Sequence, residues 1–301
     1  MLMDAVESYL EVRRAAGFQL RVSEHLLRSF ARAAAEKGEV QVRSATAITW
    51  AGQAPSLHQR DRRLRVVVQF ARHVHAENTG HEIPPNDIFV APHRRRLPHI
   101  FTPVEISQIL EEAGQLGPAG SLRPHTYQTL FGLLASCGLR ISEALALRSD
   151  DVTSDGLVIR MTKFRKSRLV PMHESTEQKI QDYLSRRRGC AGDVEHVFIS
   201  MRRKPLSYQV VVATFLAIIR KLGLRGAPGK PGPRIHDLRH TFAVRSLEAC
   251  SREEVSGHVL ALSTYLGHAK LAGTYWYLEA TPQLLSGISD ASRDFLTGER
   301  P

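Results

Sequence analysis

Residues 156–172 read GLVIRMTKFRKSRLVPM, a switch to period two inside a chain otherwise written in helical periods. Two short strands joined by the basic turn Lys163-Phe164-Arg165-Lys166 predict a β-hairpin. On its N-terminal side, HTYQTLFGLLASCG (125–138) is a strongly apolar helix that ends at Gly138, and ISEALALRSDDV (141–152) predicts another. Further back, FTPVEISQILEEA (101–113) carries a helix start: Thr102 to cap, Pro103 at the first helical position and Glu105 three residues after the cap. On its C-terminal side the helical period returns in STEQKIQDYLSRRR and SYQVVVATFLAIIRKLG. The stretch GAPGKPGPR (226–234) breaks it, and HDLRHTFAVRSLEAC (236–250) and VSGHVLALSTYLG (255–267) resume it. The class is mainly α with a small β element.

Residues 79–99 (TGHEIPPNDIFVAPHRRRLPH) lack helical periodicity and are rich in Pro and His, which predicts an extended linker with a basic knot at Arg94, Arg95 and Arg96. The expected division is a helical domain over 1–80, a linker over 81–100 and a second domain over 101–301. The first domain reads as four helices. Val6, Tyr9, Leu10 and Val12 mark the first, which Gly17 ends. Ser23 caps the second, with Leu26, Leu27 and Phe30 on its apolar face and Gly38 closing it. SATAITWAG (44–52) is the third, and Ser56 caps the fourth. The polar side of the fourth holds Arg60, Arg62, Arg63, Arg65 and Arg72 against Asp61 alone. Such a run usually means a solvated face, but so lopsided a one favours phosphate contact.

The chain has 301 residues, a natural size for two domains. It carries 41 Lys and Arg against 30 Asp and Glu, a formal charge of +11. Residues 1–99 hold 15 of those cations and 10 of the acids, so the surplus is shared between the halves. A surplus of that size favours an acidic polymer as partner. In the first half Lys37 is the only lysine, and arginine's planar fork suits phosphate and guanine edges. Cys137, Cys190 and Cys250 are odd in number, widely spaced and without CxxC, so each reads as buried filler in a reducing compartment. The opening MLMDAVESYL has neither the basic nor the apolar region of a signal peptide, and no apolar run approaches about 20 residues. A cytoplasmic protein without membrane attachment is expected.

Several residues draw chemical attention. Arg140 follows Gly138 at a helix start. His236 and Arg239 stand three apart on one helix face, with His240 on nearly the same face. The i, i+4 histidines also suit a zinc pair, but Asp237 is misplaced for HExxH chemistry, so no metal is expected. His268 follows Gly267, and Tyr275 and Tyr277 come within ten residues of it. A lone tyrosine near cations is more often a packing residue.

Taken together, GLRxSE, a lysine in a basic β-turn, HxLRH, LGH and a tyrosine nine residues beyond that histidine resemble the tyrosine recombinases, the phage integrase family. The resemblance covers about residues 101–290. It implies Arg140, Lys163, His236, Arg239, His268 and Tyr277 as catalytic residues, with Glu143 and His240 as accessory ones. Lys163 is fixed by counting back from Arg168-Leu169-Val170-Pro171, and Arg165 and Lys166 share its turn. Tyr275 competes with Tyr277, and the nine-residue spacing favours Tyr277. The implied fold is a helical core-binding (SAM-like) domain followed by a mixed α/β catalytic domain. The first half matches that domain in pattern only. The implied assembly is a tetramer on two DNA duplexes, each duplex clamped between the two domains. Arg60, Arg62, Arg63, Arg65, the Arg94–Arg96 knot, Arg165 and Lys166 are then DNA contacts. The segment 281–295 becomes an amphipathic helix that docks on a neighbouring subunit or folds back on its own chain.

The residue types suit that chemistry. Two guanidiniums fork onto the non-bridging oxygens of a phosphodiester and offset the charge of its five-coordinate transition state, work that metal ions do in many nucleases. A phenol with a pKa near 10 needs a base and a positive site to attack. His236 is the expected proton acceptor, Lys163 the donor to the leaving 5′ oxygen and His268 a donor to a non-bridging oxygen. The 3′-phosphotyrosyl product keeps the ester's energy, so neither ATP nor another cofactor is expected, and GxxxxGK[ST] is absent. A type IB topoisomerase-like swivelase, a DNA-binding protein with a decayed site and, remotely, a metal-dependent nuclease are the alternatives.

Overall fold

The computed structural model describes residues 1–91, 96–160, 167–192, 194–250, 255–268 and 271–279. The chain divides into two compact units, Met1–Arg95 and Arg96–Pro301. The expected turn residues Lys163, Arg165 and Lys166, the linker residues Arg94 and Arg95, and the tail 281–295 lie outside the described residues.

The first unit is built from α1 (Leu2–Ala15), α2 (Arg21–Ala35), α3 (Ser44–Gly52) and α4 (Leu57–Glu77). Their apolar stripes meet in one core around Leu10, Leu27, Phe30, Trp50, Leu64 and Phe70. Phe30 packs edge-on to Trp50 at 5.6 Å, and Tyr9 edge-on to Phe70 at 5.5 Å. The Ser56 hydroxyl accepts the Gln59 N–H, as the sequence predicts. Ser23 does not cap α2. The helix starts earlier, after Leu20 turns the chain at φ 46°, and Ser23 falls within its first turn. Glu24 in that turn binds Arg14 at 2.5 Å and Arg28 at 2.7 Å, tying the start of α2 to α1. Beyond α4, His81 Nδ1 accepts the Val42 N–H and a Glu82 carboxylate oxygen accepts the Ser44 N–H. That part of the Pro- and His-rich stretch is therefore held on the first unit.

The second unit runs α5 (Pro103–Gly114), α6 (Arg123–Cys137), α7 (Ile141–Ala146), β1 (Val152–Thr153), β2 (Gly156–Ile159), β3 (Arg168–Val170), α8 (Glu174–Ala191), α9 (Tyr208–Lys221), α10 (His236–Glu248), α11 (Val255–Leu266) and α12 (Ala272–Glu279). Thr102 and Glu105 form the expected reciprocal cap of α5. Phe101, Phe131 and Phe215 stack edge-on through its centre at 6.3 and 5.3 Å. A second apolar cluster joins α10, α11 and Tyr277 of α12.

Three expectations change. The helix over 141–152 ends at Ala146, because the chain turns out to pair with residues 195–197. The Leu147 carbonyl accepts the Val197 N–H, and the Ser149 N–H donates to the Glu195 carbonyl. The hairpin acquires a third strand, giving an antiparallel sheet in the order β1-β2-β3, with Leu157 opposite Val170. Cys190 is exposed rather than buried, beside the exposed Arg188 and Gly189 near the end of α8. Cys137 is buried and Cys250 half-buried.

Candidate active site

Arg140, Glu143, His236, Arg239, His240, His268 and Tyr277 converge where the ends of α6 and α11 meet the start of α10. Two glycines make the approach possible. Gly138 ends α6 at φ 58°, and a Cβ there would come within 2.4 Å of the Phe242 ring. Gly267 ends α11 at φ 66°, which lets the His268 N–H return to the Ser263 carbonyl. A Cβ at Gly267 would meet the Arg168 guanidinium at 2.8 Å. These are the glycines of the GLR and LGH motifs, and both hold a left-handed backbone that other residues adopt at a cost.

The arginines sit on the main-chain oxygens exposed at those helix ends. Arg239, buried to 2% exposure, donates to the Gly138 carbonyl and to the Leu266 carbonyl, both at 2.7 Å. Arg140 is half-buried and donates to the same Leu266 carbonyl at 3.3 Å and to the Gly267 carbonyl at 3.2 Å. Terminal carbonyls of a helix lack intrahelical partners and lie at the negative end of its dipole, so they suit a cation. Burial first, and then Arg140 beside it, draw the Arg239 pKa down to about 10, and it remains charged at neutral pH.

Glu143 completes the frame. Its carboxylate accepts from the Arg140 side chain at 2.7 Å and from the Arg140 backbone N–H at 3.0 Å. Arg168 grips it with both terminal nitrogens, at 3.1 and 2.8 Å. Burial opposes ionisation of Glu143, but Arg168, the Arg140 N–H and the remaining Arg140 contact together outweigh it and hold the pKa at about 2. The carboxylate orients Arg140 and offsets part of the cationic charge.

The start of α10 is secured by Asp237, whose carboxylate accepts the Arg234 N–H at 2.9 Å. That fixes the register placing His236, Arg239 and His240 beside His268 and Tyr277. His236 and His240 meet edge-on at 4.7 Å, His240 lies 5.4 Å from the Tyr277 ring, and His268 lies 6.0 Å from it. His268 Nε2 faces an Arg239 nitrogen at 3.2 Å, and its Nδ1 faces the Thr274 hydroxyl at 2.7 Å. Desolvation, followed by Arg239, pushes His268 down to about 4; desolvation, followed by His236, does the same for His240. His236 is also drawn to about 4, by desolvation and then Arg239, although its exposed position lets solvent screen part of that push. The imidazoles are neutral at neutral pH. Among the described residues no group of three or more His, Cys, Asp or Glu is placed to hold a metal ion.

The two tyrosines of α12 separate clearly. Tyr277 is 2% exposed and packs against His240 and His268, whereas Tyr275 is 52% exposed. Burial raises the Tyr277 pKa while Arg239 and Arg140 pull it back. Two residues of the site carried no signal in the sequence: Arg168, whose importance lies in Glu143 across the fold, and the fully buried Thr274.

The arginines expected at DNA have mixed settings in the first unit. Arg62, Arg65 and Arg72 are exposed on α4, with Arg65 paired to Asp61 at 2.7 Å. Arg60 instead donates to the Ala54 carbonyl at 2.8 Å. Arg63 donates to the Trp50 carbonyl at 3.3 Å and lies 5.0 Å over the Trp50 ring. In the second unit Arg96 donates to the Gly232 carbonyl at 2.7 Å.

Known proteins resemble this chain in sequence and in fold. Residues 99–283 match the model of the phage integrase family. A putative integrase/recombinase of Sinorhizobium fredii, y4rB, is 40% identical, with 93% of each chain covered. The tyrosine recombinase XerC of a Methylobacterium species is 30% identical over 77% of this chain and 70% of its own. Among solved structures, the Tn1549 transposon integrase in complex with transposon right end DNA superposes with a TM-score of 0.64 at 18% identity, over 91% of this chain and 94% of that one. The lambda integrase tetramer bound to a Holliday junction gives 0.64 at 16% identity, over 92% and 76%. On the match across its second unit and the relative that spans nearly its whole length, the chain belongs to the phage integrase family, the tyrosine recombinases.

Proposed function

We propose that this site-specific DNA recombinase cuts and rejoins duplex DNA with Tyr277 as its nucleophile. The observation that carries the assignment is the position of Tyr277, buried beside Arg239, His240 and His268 while Tyr275 faces outward. A phosphodiester entering the cleft takes hydrogen bonds from Arg140 and Arg239, whose remaining N–H groups are aimed by the carbonyls behind them. The Tyr277 oxygen attacks phosphorus, its proton passes to the neutral His236, and the bond from phosphorus to the 5′ oxygen breaks. Lys163 donates a proton to that oxygen. The enzyme is left with a 3′-phosphotyrosyl bond, and attack by a 5′ hydroxyl of another strand reverses the sequence. His268 donates to a non-bridging oxygen.

The first unit acts as the core-binding domain and contributes phosphate contacts through Arg62, Arg65 and Arg72. Arg94, Arg95, Arg96, Arg165 and Lys166 extend the cationic surface along the DNA. Four copies assemble on two duplexes, as the family resemblance implies; lambda integrase is a tetramer when bound to a Holliday junction.

A nicked suicide duplex tests the nucleophile. Tyr277→Phe retains DNA binding and forms no covalent adduct, while Tyr275→Phe forms it. The reverse result transfers the role to Tyr275. Adduct formation by neither wild-type enzyme nor variants on any cleaved target removes the phosphotyrosyl mechanism.

A further inference from the structure

The Thr274 hydroxyl is fully buried, 2.7 Å from His268 Nδ1, and His268 Nε2 lies 3.2 Å from an Arg239 nitrogen. From this pair of contacts we infer that Thr274 is a positioning residue that lets His268 exchange one neutral tautomer for the other when it engages phosphate. The inference rests on the reading of His268 as a donor to a non-bridging oxygen.

The argument is a count of hydrogens. A guanidinium offers only donors, so toward Arg239 the His268 Nε2 must present its lone pair. The single hydrogen of the neutral ring is then on Nδ1, and Nδ1–H donates to the Thr274 oxygen. Donation to a phosphate oxygen needs that hydrogen on Nε2 instead, which leaves Nδ1 as an acceptor. A hydroxyl is the side-chain group that serves both states, accepting from Nδ1–H in the first and donating O–H to Nδ1 in the second. A carboxylate at the same place, an acceptor only, would favour the first state.

The alternative is to protonate the ring and keep both hydrogens. The surroundings oppose it. Arg239 and His236 of α10, Arg140 at the start of α7 and Arg168 of β3 all push the His268 pKa down. The fourth side is Tyr277 of α12, whose ring stacks near that of His268. A switch between neutral forms avoids adding a further positive charge to this group. Thr274 is also one helical turn before Tyr277, so a single side chain links the hydrogen-bonding state of His268 to the helix that carries the nucleophile.

Nitrogen NMR of the His268 ring tests the switch directly. The free enzyme is expected to show Nδ1–H, and Tyr277→Phe bound to an intact target duplex is expected to show Nε2–H. The same tautomer in both states, or Nε2–H in the free enzyme, overturns the inference. Thr274→Val keeps the size of the side chain and removes the hydroxyl. Its single-turnover cleavage is expected to fall roughly tenfold or more, the scale of a buried group losing its only adaptable partner, with DNA affinity unchanged. Thr274→Ser is expected to restore most of the rate. In Thr274→Val the residual rate should rise toward acid pH, where the ring can donate from Nε2 as a cation, while wild type shows no such rise. Wild-type rate and pH profile in a folded Thr274→Val refute the proposal. If that variant does not fold, failure of Thr274→Ser to cleave, or an unchanged tautomer by NMR, refutes it. Because wild-type adduct formation is measured alongside, loss of the phosphotyrosyl reading is told apart from loss of this one.

Discussion

The two units use arginine in the same way and obtain different properties from it. In the first, Arg63 of α4 donates to a carbonyl in the last turn of α3 and Arg60 to one just beyond that helix, both half in solvent. In the second, Arg239 and Arg140 donate to carbonyls at the ends of α6 and α11, with Arg239 fully buried and Arg140 half-buried against a gripped carboxylate. Solvent screens the first pair, so their anchoring amounts to local structure. Exclusion of water at Arg239, and the Glu143 grip on Arg140, give the second pair a fixed orientation in which a phosphate is stabilised without reorganising its surroundings. Burial at Arg239 and the carboxylate grip at Arg140, rather than residue type, convert helix-end contacts into catalytic machinery.

The contrast breaks most sharply in cleavage rates. Arg239→Ala or Arg140→Ala should raise the barrier by about 3–4 kcal/mol, as loss of a transition-state donor does, whereas Arg63→Ala should leave single-turnover cleavage of bound DNA nearly unchanged. Equal losses in the three variants would show that neither burial nor the Glu143 grip distinguishes the sets. Acid titration sharpens the point. Glu143 has its pKa held at about 2, below the usual carboxylate value, so its contribution is complete above the unfolded pKa near 4.5 and is lost as pH falls from there toward 2. That contribution is on the order of 3 kcal/mol, and Glu143→Gln should flatten the acid limb of melting temperature against pH. His240 and His268, held neutral in the fold, contribute a separate loss as pH falls from about 6.5 toward 4.

A smaller effect separates two glycines. Gly138→Ala must strain a positive φ and displace the Phe242 ring, whereas Gly17→Ala in the first unit strains φ 90° with nothing within 4 Å of the new methyl. The first should cost about 1–3 kcal/mol more than the second in denaturant unfolding; equal costs would mean that Phe242 yields freely. Smallest of all, Arg62→Ala and Arg72→Ala should each reduce the slope of log affinity against log salt by about one, weakening DNA binding alike for every sequence. A loss confined to one target sequence would instead assign these arginines to base edges.

The helices of the first unit were legible because their apolar residues recur at one spacing and their punctuation is local, as with Ser56 and the stretch SATAITWAG. The cleft was legible through motif order, since GLR, HxLRH and LGH place their arginines and histidines at helix ends. What escaped was non-local. No helix was expected over 272–279, where Gly273 and the run Tyr275-Trp276-Tyr277 give no amphipathic period; α12 forms by packing against α10 and α11. Arg168 served only as a counting mark, because its partner Glu143 is 25 residues away on another element. The early end of α7 depends on pairing with residues 195–197, which nothing in ISEALALRSDDV announces.

The seat of Arg239 is made of peptide oxygens, so no change of side chain can delete it. Mutational drift can reshape the pocket's lining, its histidines and its rim while the guanidinium keeps its footing. The fragile points move instead to Gly138 and Gly267, where a single added methyl crowds a neighbour, so damage to the anion seat should arise through gains of volume rather than losses of contact.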